Sequence, residues 1–99
     1  MAQTIFKYTL ELKEMQDVEL PMDAEILTVQ NQNENICMWV RLDPTAPKVY
    51  RTFGVFGTGW NVISNGDLKY IGTVQLDGGC FVFHVFEWIL QSDTKGRRL

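Results

Sequence analysis

The sequence has few of the residues from which metal and catalytic sites are most often built. It contains one histidine, two cysteines and three prolines among 99 residues. A zinc site needs about four ligands, and Cys37, Cys80 and His84 offer only three soft ones. We therefore expect no metal and no cofactor. We interpret the two cysteines as buried thiols, with a disulfide between them as the less favoured alternative.

Long hydrophobic runs and a basic surface are also missing. No stretch approaches the roughly 18 apolar residues of a membrane helix, and the first ten residues lack the basic start and apolar middle of a signal peptide. The formal net charge is −3, and only residues 91–99 have an excess of basic side chains. A protein that binds duplex nucleic acid usually carries a basic stripe. We thus expect a cytoplasmic protein whose partners are neither a membrane nor a duplex.

The main positive signal is an alternation of apolar and polar residues, which is typical of half-buried strands. Residues 6–12 begin this pattern, and Phe6, Tyr8, Leu10 and Leu12 share one side. Further strands are predicted at residues 18–21, 25–32, 36–43, 48–57, 69–76 and 80–88. No helical period is longer than about two turns. We predict an all-β domain over residues 1–90, a compact antiparallel sandwich or open barrel of about seven strands, followed by a flexible basic tail over residues 91–99.

The last strand is apolar on both of its faces. Phe81, Phe83, Val85 and Ile89 would point to one side, and Val82, His84, Phe86 and Trp88 to the other. Such a strand is central in a sandwich or is covered by a partner subunit. The chain has six Phe, three Tyr and three Trp, and aromatic residues are common anchors at interfaces. These observations favour a homo-oligomer.

Five of the eight glycines lie in one stretch, RTFGVFGTGWNVISNGDLKYIGT, residues 51–73. Gly57 and Gly59 match the first two glycines of the dinucleotide-binding motif G-x-G-x-x-G, but Val62 stands at the third position and no helix follows. The G-K-[ST] of a P-loop is absent as well. A glycine turn can still hold an anion with its amides. Arg51 and Lys69 flank the stretch, and Trp60 offers a flat face. The alternative is a tight structural turn with Trp60 packed over the sheet edge.

The sequence offers little for catalysis. His84 lies in the middle of an apolar strand, Cys80 is roughly 13 Å away along that strand, and Glu87 points to the opposite face. No pair of carboxylates has a spacing that favours acid–base chemistry. We interpret His84 as a core or interface histidine, and we predict that the protein is not an enzyme.

Three longer stretches together resemble a known family. They are ELPMDAEILTVQNQNENICMWVRLDP, RTFGVFGTG and LKYIGTVQLDGGCFVFHVFE, within residues 5–88. They are similar to small uncharacterised proteins of tailed bacteriophages and prophages. The resemblance implies a phage origin and a compact β fold, and it brings no established activity. The family pattern has a histidine after G-T-G where this chain has Trp60, which further disfavours an enzyme.

We therefore expect a non-enzymatic phage accessory protein, a homo-oligomeric binder that acts against host defence in the host cytoplasm. It would sequester a small anionic ligand, such as a nucleotide-type signal, or block a host protein. We predict a ligand site where the 57–62 loop of one subunit meets an apolar face of another, with these residues: Arg51, Gly57, Thr58, Gly59, Trp60 and Asn61. The alternative function is a structural or assembly component of the phage particle.

Overall fold

The computed structural model describes residues 2–62 and 66–89, which form seven strands and one 3₁₀ turn at Asp77–Gly79. The strands are β1 Thr4–Leu10, β2 Gln16–Pro21, β3 Glu25–Gln32, β4 Asn35–Leu42, β5 Lys48–Gly57, β6 Asp67–Leu76 and β7 Phe81–Ile89. This part of the chain contains no α-helix, and hence none that could span a bilayer. The predicted tail over residues 91–99 lies outside the described residues.

The strands form two antiparallel sheets that face each other. One sheet has the order β1-β4-β3, and the other has the order β2-β5-β7-β6. The prediction of an all-β antiparallel sandwich is confirmed, and the barrel alternative is not, because the sheets do not close into one ring. The last strand, β7, lies in the interior of its sheet between β5 and β6. This position accounts for the apolar inner face, whereas the outer face, with His84, Phe86 and Trp88, is only half-buried.

The core lies between the sheets and is built from alternate residues of the central strands. Phe53 and Val55 of β5 and Val85 of β7 are fully buried. The facing sheet contributes four further buried side chains from β4, namely Ile36, Met38, Val40 and Leu42. Each large apolar side chain buried in this way contributes about 1.5–3 kcal/mol to the free energy of folding.

The first strand begins and ends two residues earlier than the sequence pattern predicts. β1 ends at Leu10, which is buried, whereas Leu12 is 57% exposed in the connection to β2. The hydrogen bonds of the connection explain the early end. The Gln16 side chain bonds both the backbone N–H and the carbonyl of Glu11, so the chain turns here. The prediction that Leu12 shares the core face was wrong.

The two tight turns use left-handed backbone conformations. Asn33 and Glu34 both have positive φ in the β3–β4 hairpin, as do Asp77, Gly78 and Gly79 before β7. Two consecutive positive φ angles are what a two-residue hairpin requires. Glu34 is an unfavourable residue for this conformation. Its carboxylate offsets the cost, because it accepts hydrogen bonds from Asn31 Nδ2 and from the Asp77 amide.

The two cysteines differ in their environment. Cys37 is buried on β4, whereas Cys80 is exposed beside the turn that leads into β7, and both are free thiols. The prediction of a buried thiol was therefore wrong for Cys80, since the residue lies outside the sheet ladder. Among the described residues, no group of three or more His, Cys, Asp or Glu could hold a metal ion.

Two β-bulges face each other at one side of the sandwich. The extra residue of β3 is Leu27, between Ile26 and Thr28, and the extra residue of β6 is Ile71, between Tyr70 and Gly72. β3 and β6 are the neighbouring edges of the two sheets, and Asn31 Nδ2 donates to the Gln75 carbonyl across that gap at 2.9 Å. Bulges bend a strand and redirect its side chains.

Candidate functional site

The two sheets part beside the bulges and leave a cleft of about 410 Å³. It is lined by residues 24–27 at the start of β3, residues 69–71 of β6, and the side chains of Arg51 and Glu87. Small-molecule sites in proteins are concave and typically have volumes of about 300–1,000 Å³. The cleft falls within that range.

Next to the cleft, β3 and β6 approach each other closely at a glycine. A Cβ atom added to Gly72 would lie 2.6 Å from Cγ2 of Val29, so the two strands touch here only because residue 72 has no side chain. Toward the first residues of β3 and β6 the bulges widen the gap again. The cleft thus lies beside the contact between Gly72 and Val29, where the bulges of β3 and β6 separate the two strands.

Arg51 and Glu87 form an ion pair inside the cleft. Arg51 Nε donates to Glu87 Oε2 at 2.6 Å and Nη2 donates to Oε1 at 2.8 Å. Arg51 Nη1 donates to the carbonyl of Ala24 at 2.6 Å. The Glu87 side chain is only 7% exposed and that of Arg51 is 24% exposed. This two-point geometry fixes the guanidinium plane and links β5 and β7 to the start of β3.

The alternation of β5 and β7 explains why this pair is turned inward. Arg51 shares its face of β5 with Phe53 and Val55, and Glu87 shares its face of β7 with Val85. An inward-facing charge must find an opposite charge, because an unpaired buried ion is costly. Each residue satisfies that requirement for the other.

The charged residues that line the cleft balance in number, Arg51 and Lys69 against Glu25 and Glu87, but they are not all paired with one another. Glu87 neutralises Arg51, and Glu25 at the rim pairs with Arg41 at 2.5 Å. Lys69 lies directly opposite Glu87 in the β6–β7 register, yet its ammonium group forms no ion pair or hydrogen bond with any residue of the described chain. The guanidinium has five N–H groups, of which Arg51 uses three within the described chain. Lys69 and the two remaining N–H groups of Arg51 can therefore bind an anion.

The predicted ligand residues do not form one site within a single chain. Arg51 is separated from Gly57 by six residues of the extended strand β5, which is roughly 20 Å at about 3.3 Å per residue. Arg51 therefore lies in the cleft, whereas the loop at residues 57–61 lies at the other end of the strand. Lys69, which the sequence marks only as a flanking charge, is the residue that the fold brings to Arg51.

The loop itself is an ordered turn. Gly59 has φ 90°, the amide of Trp60 donates to the Gly57 carbonyl at 3.0 Å, and the amide of Thr58 donates to the Val82 carbonyl at 3.1 Å. Two of the amides available for an anion are therefore engaged within the chain. Asn61 is exposed.

Trp60 packs onto the end of the sandwich. A Cβ on Gly57 would lie 2.6 Å from its ring, and the ring meets Phe83 edge-on with centroids 6.0 Å apart. The indole is still 49% exposed. It borders a shallow pocket of about 200 Å³ that Thr58 and residues 80–83 complete.

The outer face of the second sheet carries a chain of polar side chains that sequence reasoning missed. Thr58 Oγ1 lies 2.7 Å from His84 Nε2, and His84 Nδ1 lies 3.0 Å from Thr73 Oγ1. Thr73 Oγ1 in turn lies 2.6 Å from the Tyr70 hydroxyl. Both ring nitrogens of His84 are thus within hydrogen-bond distance of a threonine hydroxyl. Thr73 and His84 lie on the same face of two paired strands, and this is the sequence signal that could have revealed the polar chain.

Aromatic rings surround this polar chain. Phe86 of β7 meets Phe56 and Tyr70 edge-on, with centroids 6.1 and 5.6 Å apart, and Trp88 packs on Phe56 at 6.2 Å. The outer face of the other sheet is mixed, with Thr28 and Gln30 of β3 opposite Trp39 and Cys37 of β4. An aromatic outer face is suited to contact with another molecule.

The fold and the cleft define the chain as a small all-β sandwich with a cleft between its sheets that is lined by both basic and acidic side chains. It belongs to the family described as Domain of unknown function (DUF7352), which matches residues 1–95. No curated protein and no solved structure matches the chain.

Proposed function

We propose that this chain is a non-enzymatic binding protein that holds a small anionic ligand, of the nucleotide type, in the cleft between its sheets. The observation that carries the proposal is the arrangement of Arg51. Buried Glu87 fixes the guanidinium at two points, while two N–H groups and the unpaired ammonium of Lys69 remain for a ligand. An oxyanion such as a phosphate or carboxylate, which can accept two parallel N–H hydrogen bonds, matches such donors.

The apolar walls suggest how the rest of the ligand is held. Ile26 and Leu27 of β3 and Ile71 of β6 line the same cleft, and Leu27 is 43% exposed. A ligand with a charged end and an apolar or planar body can place the charge at Arg51 and Lys69 and rest its body on these side chains. A mononucleotide has both parts.

The biological role is proposed from the sequence resemblance to phage and prophage proteins. A small phage protein that binds a nucleotide-type anion without converting it would lower the concentration of a host signal in the host cytoplasm. This sponge role requires that the bound molecule be released intact, so it differs experimentally from that of an enzyme that destroys the signal.

Isothermal titration with adenosine monophosphate, and with inorganic phosphate as the minimal anion, tests the site. Lys69→Ala should weaken binding by about tenfold or more, because a hydrogen bond to a charged group contributes about 1.5–3 kcal/mol. Lys48→Ala is the matched control, since Lys48 is an exposed lysine at the start of β5, outside the cleft. Equal affinity of the Lys69→Ala and wild-type proteins would refute the site.

The second candidate function is contact with proteins, either blocking a host protein or building the phage particle. The aromatic outer face of the second sheet favours it. Mass spectrometry of purified virions distinguishes the two roles. A stoichiometric amount of the chain in virions supports a structural component, and its absence there supports a role in the infected cell.

A further inference from the structure

We infer that strand β1 is a dimerisation edge, at which two copies of the chain pair antiparallel to form one six-stranded sheet. The edge is defined by the strand order, since β1 ends its sheet and pairs only with β4 among the described residues. Residues 4–7 of this strand are exposed. An exposed edge presents unpaired N–H and C=O groups that another strand can bind.

The other three edge strands carry features that oppose strand addition. β2 has six residues, with Asp17, Glu19 and the terminal Pro21. β3 and β6 both contain bulges and face each other across the cleft. Short length, proline, like charges and bulges are the usual protection of sheet edges. β1 has none of these features, because its seven residues pair with β4 without a register shift.

The single charge on β1 does not guard the edge. Lys7 lies on the outer face of its sheet, and its ammonium donates to Gln32 Oε1 of β3, on the far side of β4. The side chain is therefore drawn across the sheet and away from the open edge. Ile5 and Phe6, by contrast, are 54% and 46% exposed. Two apolar residues at an open edge favour burial against a partner.

The sequence of β1 is compatible with a second copy of itself in one register. In an antiparallel pair about a two-fold axis, residues of the same parity lie opposite each other on one face. A pair centred on Lys7 would place the two Lys7 residues opposite each other and would set each Phe6 opposite the partner's Tyr8, so the two Phe6 rings would not meet. A pair centred on Phe6 places the two Phe6 rings opposite each other and puts each Lys7 opposite the partner's Ile5. This register buries both exposed apolar side chains.

The inferred dimer leaves the anion cleft open and does not depend on it. β1 is at one edge of its sheet and β3, which lines the cleft, is at the other. Disruption of the dimer should therefore leave adenosine monophosphate binding unchanged, and Lys69→Ala should leave the dimer unchanged. The two proposals can fail separately.

Light scattering coupled to size exclusion tests the edge. The wild-type protein should have twice the mass of the chain, and Phe6→Glu should have half the wild-type value, because it places two carboxylates opposite each other. Tyr50→Glu is the matched control, since Tyr50 is an aromatic residue that is 68% exposed on the other sheet. It should remain dimeric. A monomeric wild type, or a Phe6→Glu variant that is folded by circular dichroism and still dimeric, would overturn the inference.

Cysteine crosslinking tests the register in a Cys80→Ser background, which removes the exposed native thiol. Phe6→Cys should form a covalent dimer under mild oxidation, because its Cα would lie about 4.5–5.5 Å from that of its copy. Lys7→Cys should crosslink far more slowly. Faster crosslinking of Lys7→Cys than of Phe6→Cys would overturn the register centred on Phe6.

Discussion

Both carboxylate oxygens of Glu87 accept hydrogen bonds from the guanidinium of Arg51, across the two neighbouring strands β5 and β7 and inside the sandwich. The pair has two consequences. It neutralises the only charged residue among the buried residues described, and it fixes an arginine at the wall of a cleft where donors remain available. Stability and the proposed anion binding thus share the Arg51–Glu87 pair.

Removal of Arg51 should destabilise the fold. Arg51→Met leaves the Glu87 carboxylate buried and unpaired, which should lower the free energy of unfolding by about 3 kcal/mol. The double variant Arg51→Met with Glu87→Leu should recover most of this loss, because neither charge then needs a partner. Urea denaturation of the three proteins measures both effects. If Arg51→Met alone unfolds at the wild-type urea concentration, the pair contributes no net stability.

The close contact between Gly72 and Val29 predicts a steric effect. Gly72→Ala places a methyl group 2.6 Å from Val29 Cγ2 and should destabilise the protein by about 1–3 kcal/mol. Val29→Ala should relieve much of the clash in the double variant. Gly66→Ala is the control, because a Cβ at Gly66 meets nothing within 4 Å. Thermal unfolding should give Gly66→Ala the wild-type midpoint; a wild-type midpoint for Gly72→Ala would mean that the strands lie further apart.

The Glu34 carboxylate predicts a loss of stability in acid. Hydrogen bonds from Asn31 and from the Asp77 amide hold its pKa below the ordinary value of 4.5. A depressed folded-state pKa adds stability above the unfolded-state pKa, and that stability is lost as the pH falls through the folded-state pKa. Glu34→Gln should therefore lose less stability than the wild type between about pH 5 and pH 3.

Urea midpoints at both pH values measure this difference, and Asp43 is the internal comparison. Hydrogen bonds from Thr45 also lower the pKa of Asp43, so Asp43→Asn should reduce the acid sensitivity by a separate increment. An identical loss in the Glu34→Gln and wild-type proteins would show that the hairpin carboxylate is not coupled to folding.

The His84 contacts predict a link between the glycine loop and the sheet. His84→Ala removes hydrogen-bond partners of Thr58 and Thr73 and should cost about 1–2 kcal/mol. Hydrogen exchange at Thr58 and Trp60 should become faster, because the loop loses one of its attachments. Unchanged exchange would show that the Val82 carbonyl and the Trp60 packing suffice to hold the loop.

Most of the strand pattern could be predicted from the sequence, because each side of each strand meets a different environment. β3 and β5 have the predicted bounds, and the two faces of β7 divide as its alternation indicates. A glycine inside a predicted strand indicates a bulge or a close backbone approach, and Gly54 of β5 lies in close approach to the Glu14 carbonyl. The bulges at Leu27 and Ile71 give no comparable signal, since neither position is a glycine.

The candidate site was harder to predict, because a cleft depends on which edges of the two sheets meet. Local sequence placed Arg51 with the nearby glycine loop, whereas pairing in space placed it with Glu87 and Lys69. One signal was available. Arg51 has the same parity as Phe53 and Val55 on its strand, so it is expected to face inward with them. An inward-facing arginine indicates an inward-facing carboxylate, and Glu87 has the matching parity on β7, the most apolar strand.

The most direct test of the account is native mass spectrometry of the protein as purified from cells, compared with a denaturing scan of the same sample. The account predicts an assembly with extra mass that disappears on denaturation, an anionic compound released intact, and loss of that mass in Lys69→Ala but not in Lys48→Ala. Retention of the same compound by Lys69→Ala, or a wild-type protein that binds no added adenosine monophosphate or phosphate, would contradict the assignment of the cleft as an anion site.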